Sequence, residues 1–221
     1  MVWTCRHFEE EKRRKLRDDK MTKIFDKFSL ENIEIKDKSL AQVVSLRSVA
    51  VPHTSGRHKK RTMGKTDVNI VERLANKLMR GGTGEKTSGK IIRTHGRMQG
   101  KKLKALKIVE KAFDYIENQT KENPVQILIR ALEKSAPRED TTRVSHGGVS
   151  YQIAVDISAT RRLDMALRNI ALAAIMSSFN RPKPMYEALA SEIVNAAKDD
   201  VQNSYAIKKR NETERMARSA H

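Results

Sequence analysis

The sequence has a single cysteine, Cys5, and few aromatic residues: Phe, Trp and Tyr together make up 5% of its 221 residues. One thiol permits no internal disulfide, which fits a reducing, cytosolic setting. So few aromatics make a poor platform for stacking single-stranded bases. No run of about 18 apolar residues is present, the length a helix needs to cross a bilayer. The opening residues, MVWTCRHFEE, lack the basic segment and apolar stretch of a secretory signal. Acidic residues are also short: 27 Asp and Glu face 45 Lys and Arg, a formal net charge of +18 with a pI near 10.1. Charge of that size opposes compaction unless something negative neutralises it. Nucleic acid, with dense and regular phosphates, is the leading counterpart, and an anionic membrane surface is the rival. The length suits one core, or one core plus extensions.

The excess charge is unevenly placed. Residues 1–40 carry 11 basic and 9 acidic side chains and nearly balance. Within them EEEKRRKLRDDK (9–20) reads as an exposed helix that needs a partner surface, or as disorder. Residues 52–107 carry 16 Lys and Arg against only Asp67, Glu72 and Glu85, a net of +13. The stretch PHTSGRHKKRTMGK (52–65) has no apolar periodicity and is expected to be an irregular arm whose five cations meet no acid.

Helical spacing then takes over. Val68, Val71, Leu74, Ala75, Leu78 and Met79 predict a helix capped by Thr66 or Asp67 and stopped at Gly81-Gly82. Residues 81–100 read as a Gly-rich basic loop, and a second helix follows at about 100–119 with Leu106, Val109, Phe113 and Ile116 inward. Asn123-Pro124 starts a third, which ends before Pro137. Further helices are expected at about 159–179, capped by Ser158, at about 184–198, and from Ser204 onward. Between the third and fourth, EDTTRVSHGGVSYQIAVDI (139–157) reads as two strands around a Gly-Gly turn, one lone hairpin in a helical chain. Ile153, Val155 and Ile157 alternate on one face and are expected to pack toward the bundle. The fold class is thus mainly α: a bundle of five to six helices with one protruding hairpin, in a single domain over 51–221, preceded by an N-terminal extension over 1–50.

Catalytic and ligand motifs are weak. Gly84 to Lys90 has the spacing of a phosphate-binding loop, but Ile91 stands where Ser or Thr must hold magnesium. Gly64-Lys65-Thr66 has the right ending, but Lys59 replaces the first glycine. His53 and His58 lack the further ligands that zinc needs. No nucleophile sits in a strand-turn-helix elbow. No enzyme activity, metal or cofactor is expected. His146 reads as a turn residue before Gly147 and Gly148.

What remains is cations. They cluster in the arm (Arg57, Lys59, Lys60, Arg61, Lys65) and ahead of the second helix (Arg97, Lys101, Lys102, Lys104). Others surround the hairpin (Arg138, Arg143, Arg161, Arg162) and lie near the C-terminus (Lys208, Lys209, Arg210). Arginine offers a planar fork to phosphate and lysine a mobile point charge. The competing reading is that a cluster is only a solvated face, strongest for Lys208 to Arg210 beside Glu212 and Glu214. For the hairpin the choice is between a tip that reaches a nucleic-acid groove and a ribbon lying flat on the bundle.

Three segments, ENPVQILIRALEKSAPREDTTR (122–143), GGVSYQIAVDISATRRLDMALRNIA (147–171) and NSYAIKKRNETERMARS (203–219), resemble the S-seven family of small-subunit ribosomal proteins. The likeness covers roughly 50–221, and the first 45 residues fall outside the shared core. The terminal segment and long N-terminal extension look like the archaeal and eukaryotic branch, and the 81–97 insertion looks archaeal. The resemblance implies a helical bundle with a ribbon. It also implies binding to the 3′ major domain of small-subunit ribosomal RNA, organisation of the subunit head, and a place near the exit-site tRNA and departing mRNA. Arg57 to Lys65, Lys101, Lys102, Lys104, Arg161 and Arg162 then look like ribosomal-RNA contacts. His146, Gly147, Gly148 and Tyr151 at the tip, with Lys208, Lys209 and Arg210, look tRNA- or mRNA-proximal. The tip SHGGVSY lacks Lys and Arg, which favours steric guidance over electrostatic grip. Neighbouring ribosomal proteins are the expected partners of the extension, and no membrane partner is expected.

Overall fold

The computed structural model describes residues 23–30, 32–81 and 97–220. The candidate helix at 9–20, Cys5 and the loop with the phosphate-loop spacing lie outside the described residues. Seven α-helices occur among those described: α1 (Lys38–Ala41), α2 (Ile70–Met79), α3 (Lys102–Thr120), α4 (Pro124–Ser135), α5 (Ala159–Ser178), α6 (Met185–Ala197) and α7 (Tyr205–Ser219). α1 is a single turn, so six helices build the bundle and the mainly α reading holds.

α6 lies deep in the bundle, with Ala188, Leu189, Ala190, Ile193, Val194 and Ala196 all buried. A helix apolar nearly all round belongs in the middle of a bundle. It packs against α3, α4, α5 and α7. Phe113, Leu128, Leu132, Leu163 and Leu167 fill the space beside it. Asn123 caps α4 as its sequence predicts, its side chain accepting from Val125 N at 3.0 Å with Pro124 at the first position. Ser204 caps α7 through Ile207 N at 3.3 Å.

Two caps differ from expectation. Residues Gly64–Asp67 close a 3-10 turn, so Thr66 and Asp67 are used up and Asn69 caps α2, accepting from Val71 N at 2.9 Å. Ser158 stands at the start of α5 but its side chain makes no capping bond; its hydroxyl lies 3.4 Å from that of Thr160.

The hairpin is present as β3 (Glu139–His146) and β4 (Val149–Asp156), paired antiparallel from Glu139 opposite Asp156 to His146 opposite Val149. Gly147 and Gly148 have φ of 60° and 81°. A two-residue loop with both central φ positive matches the right-handed twist of the strands, which is why glycines occupy it. The ribbon does not lie flat. Val144, Val149, Tyr151, Ile153 and Val155 are all exposed, so the expectation that Ile153 and Val155 pack on the bundle is wrong. Only the root is anchored, where β3 and β4 meet α7; further out nothing covers the strands among the described residues.

The hairpin is not the only one. β1 (Lys23–Ile24) and β2 (Phe28–Ser29) form a second, two residues long, too short to show any alternation. Its apolar residues join the main core. Ile24 and Phe28 are buried, and Phe28 meets Phe113 edge-on with ring centroids 5.6 Å apart. Leu40 and Val43 belong to the same core. The chain from Glu34 to Asp37 is tied to α4: Glu34 N donates to Gln126 Oε1, and the backbones of Lys36 and Asp37 donate to Glu133. The described part of the N-terminal extension is thus a strap on the bundle.

Candidate nucleic-acid interface

The arm is less irregular than its composition implies. It holds two 3-10 turns, Arg57–Lys60 and Gly64–Asp67. Gly64 is required where it stands, because a Cβ there would meet the His58 carbonyl oxygen at 2.2 Å. The beginning of the arm is pinned by Glu72, whose Oε1 accepts from Thr54 N at 3.0 Å and Thr54 Oγ1 at 2.9 Å, and also from Lys102. Burial pushes the Glu72 carboxyl up, but the Lys102 and Thr54 hydrogen bonds outweigh it and hold it below its usual value. The end of the arm is pinned by Asp164 on α5, which accepts from Lys65. The expectation that the five arm cations meet no acid therefore fails at Lys65; the acid comes from far along the chain. Arg57, Lys59, Lys60 and Arg61 are exposed.

Asp164 also accepts from Arg73 at 3.2 Å and lies 3.4 Å from the Lys77 ammonium. Burial pushes this carboxyl up as well. The Lys65 hydrogen bond and the charges of Lys77 and Arg73 win, and its pKa lies below the ordinary carboxylate value. Burial pulls the Lys77 ammonium down, against the attraction of Asp164.

Three adjoining clefts run past this centre. One, about 540 Å³, lies between the arm and the facing ends of α2 and α3, and includes Lys59, Lys65, Lys77, Arg80 and Lys102. The next, about 340 Å³, shares Lys65, Lys77 and Asp164 and adds Arg161 and Arg168. The third, about 240 Å³, joins Lys77, Arg80 and Arg168. Shared linings make one groove in which cations outnumber acids, suited to an extended polyanion. Lys77, Arg80 and Arg168 escaped the reading of the sequence. A signal was there: Arg73 and Lys77 on α2 and Arg80 just after it sit at i, i+4 and i+7, off the apolar stripe, and Arg161, Asp164 and Arg168 on α5 sit at i, i+3 and i+7.

Not every candidate faces outward. Arg162 is 7% exposed. It donates to Pro137 O at 3.1 Å, to Asp37 Oδ2 at 2.9 Å and to Ser39 Oγ. Its guanidinium is spent joining the N-terminal strap, the hairpin root and α5, so the expected RNA contact there is corrected to an internal clamp. Arg161, one residue earlier, is exposed and pairs with Asp140 at 3.1 Å. Lys102 is largely covered by its pairing with Glu72, and Lys101 is exposed. Arg97 and Lys104 rim a mostly apolar cleft, with Phe179, that meets the third cleft at Gly81 and Ile175. Arg143 is exposed on the polar ribbon face, opposite Gln152.

Asp140 and Glu139 point to opposite faces of β3. Arg161 takes the Asp140 side. On the Glu139 side Arg138 and Arg210 line a cleft of about 450 Å³ with Glu133 and Glu214, a mixed rather than basic surface. Arg210 is engaged by Asp199 at 3.2 Å, Lys209 pairs with Glu212 at 3.0 Å, and Lys208 is exposed. At the tip Tyr151 is exposed opposite Val144, and His146 closes the ladder before Gly147 and Gly148.

Among the described residues no group of three His, Cys, Asp or Glu could hold a metal, and no helix is long and apolar enough to cross a membrane.

A helical bundle carrying a cation-lined groove and a projecting ribbon is the frame in which the comparisons with known proteins fall. The family model described as ribosomal protein S7p/S5e matches residues 40–221, and the chain belongs to that family. The small ribosomal subunit protein uS7 of Methanothermobacter thermautotrophicus is 48% identical over 201 residues, covering 91% of this chain and all of that protein. The protein of the same name from Methanococcus maripaludis is 49% identical over 198 residues, 90% of this chain and 98% of its own length. These relatives are archaeal, within the archaeal and eukaryotic branch that the terminal segment resembles and in line with the archaeal look of the 81–97 insertion. The match begins at residue 40, earlier than the likeness read from the sequence, in agreement with the strap's place in the core. The family is one of ribosomal structural proteins and not a known enzyme family.

Proposed function

We propose that the chain, a structural constituent of the small ribosomal subunit in the cytoplasm, holds the 3′ major domain of small-subunit ribosomal RNA while the head assembles. The observation that carries this reading is the continuous groove from Lys59 through Lys65, Lys77 and Arg80 to Arg168 and Arg161. Several cations on three chain segments engage several phosphates at once, which draws separate RNA segments into one geometry. Arg57, Lys60, Arg61 and Lys101 extend the contact beside the groove, Arg97 and Lys104 continue it past Gly81, and Arg138 and Arg143 serve the ribbon. Arg162 is left out, and Lys102 acts by shaping the groove. No bond is made or broken. The RNA-binding surface lies within 51–221, on a core that the strap completes, and the rest of the extension reaches neighbouring small-subunit proteins.

The ribbon lies near the exit-site tRNA and mRNA path. Its tip, with His146, Gly147, Gly148 and Tyr151, carries no Lys or Arg and guides by shape, while Lys208, Lys209 and Arg210 supply charge along the same path, Arg210 from the cleft at the ribbon's root. A transcript of the 3′ major domain, with an equal-length unrelated RNA alongside, tests the central reading across a salt series. Selective binding that persists at high salt is expected. Equal affinity for both RNAs, falling together as salt rises, would show a charge neutraliser and no shaped site.

A further inference from the structure

We propose, building on the RNA-binding reading above, that Asp164 is a positioning residue. In the free protein its carboxylate stands in for an RNA phosphate, gathering Lys65, Arg73 and Lys77 so that the arm is shaped before RNA arrives. The puzzle it resolves is one of charge. A carboxylate in the middle of a cationic groove repels a polyanion, so by charge alone Asp164 weakens binding. What it does instead is geometric. It accepts from Lys65 at the end of the arm and from Arg73 on α2, with Lys77 beside it, joining the arm, α2 and α5 at one point. Arg73 is 3% exposed and also donates to Val43 O at 3.3 Å, so it is a fixed post that holds the carboxylate in place. The arm's other end is held by Glu72 through Thr54. Residues 54–65 are therefore tied at both ends to acids on the bundle. Between the ties Arg57, Lys59, Lys60 and Arg61 are exposed and form no ion pair among the described residues. A tethered cationic loop loses less freedom on meeting RNA than a loose one, and that saving appears as affinity.

The experiment combines amide hydrogen exchange over 54–65 in RNA-free protein with affinity for the 3′ major domain transcript across a salt series. The proteins are wild type, Asp164→Asn, Asp164→Glu, Lys65→Met and the Asp164→Asn/Lys65→Met double variant. Charge alone predicts that Asp164→Asn binds more tightly with arm exchange unchanged; that result overturns the proposal. Positioning predicts the opposite sign: faster exchange over 54–65 with α3 and α6 still protected, and affinity roughly fivefold lower despite the gained positive charge. Asp164→Glu should recover part of the loss. In the Lys65→Met background the weakening by Asp164→Asn should shrink, because the tie is already cut. If Asp164→Asn loosens the whole bundle, the single Lys65→Met variant decides: arm exchange must rise with the helices protected, and unchanged exchange there overturns the proposal. Wild type that shows no preference for the transcript would count against the RNA-binding reading alone, since arm exchange is measured without RNA.

Discussion

Arg161 and Arg162 are adjacent in sequence and opposite in role. Removing the buried member of a clamp leaves its acid partner uncompensated. Arg162→Met should therefore cost roughly 3 kcal/mol and lower the melting temperature by about 6–12 °C, while the salt dependence of RNA binding stays as in wild type. Arg161→Met should leave the melt nearly unchanged and flatten the salt slope by about one. Thermal denaturation and a salt titration on both variants check the pair; exchanged phenotypes would reverse the assignment. Glu192 gives a second residue-scale outcome. It is 6% exposed and accepts from Ser204 Oγ at 2.8 Å and Ala206 N at 3.0 Å. Burial nevertheless wins and raises its pKa. A carboxyl raised on folding contributes stability that is present below its unfolded value and lost as pH rises through the folded one. Glu192→Gln keeps the acceptor oxygen and removes the charge, so in urea unfolding the variant should gain on wild type as pH rises above the ordinary carboxylate range. Asp37, Glu72 and Asp164 are all held low and act with the other sign, their contribution fading as pH falls below about 4.

At the scale of elements, local chemistry explains most starts and stops. Asn123-Pro124 opens α4 because the cap and the fixed proline φ are properties of two neighbouring residues. The start of α2 was less legible: Thr66 and Asp67 are good caps by type, but the 3-10 turn Gly64–Asp67 shifts the helix to Asn69. That turn depends on Gly64 lying against the His58 carbonyl. Gly64→Ala should force the arm apart, weaken RNA binding several-fold and leave helical content unchanged by circular dichroism. Unaltered affinity would mean that the arm's turn is incidental to binding. The ribbon shows how an alternating pattern misleads. Ile153 and Val155 alternate like a half-buried strand, yet among the described residues no element covers them.

For the molecule as a whole, the N-terminal strap is part of the fold. Phe28 and Ile24 close the core against Phe113, and Arg162 reaches across 125 residues of sequence to Asp37. Phe28→Ala should destabilise the entire bundle by about 3–4 kcal/mol, seen as one cooperative transition moved to lower denaturant. A separate early transition would mean that the strap melts alone.

The sequence by itself determined the helices, the ribbon with its Gly-Gly turn, the excess of positive charge and the family likeness, because periodicity, capping and composition are local or additive. Tertiary structure decided which cations face a partner. Lys65 meets an acid 99 residues away, Arg162 turns inward where Arg161 turns out, and Lys77, Arg80 and Arg168 join one groove from two helices. A charge has a sign in the sequence. Its direction and its partner exist only once distant segments are packed, because burial and separation set what the charge is worth.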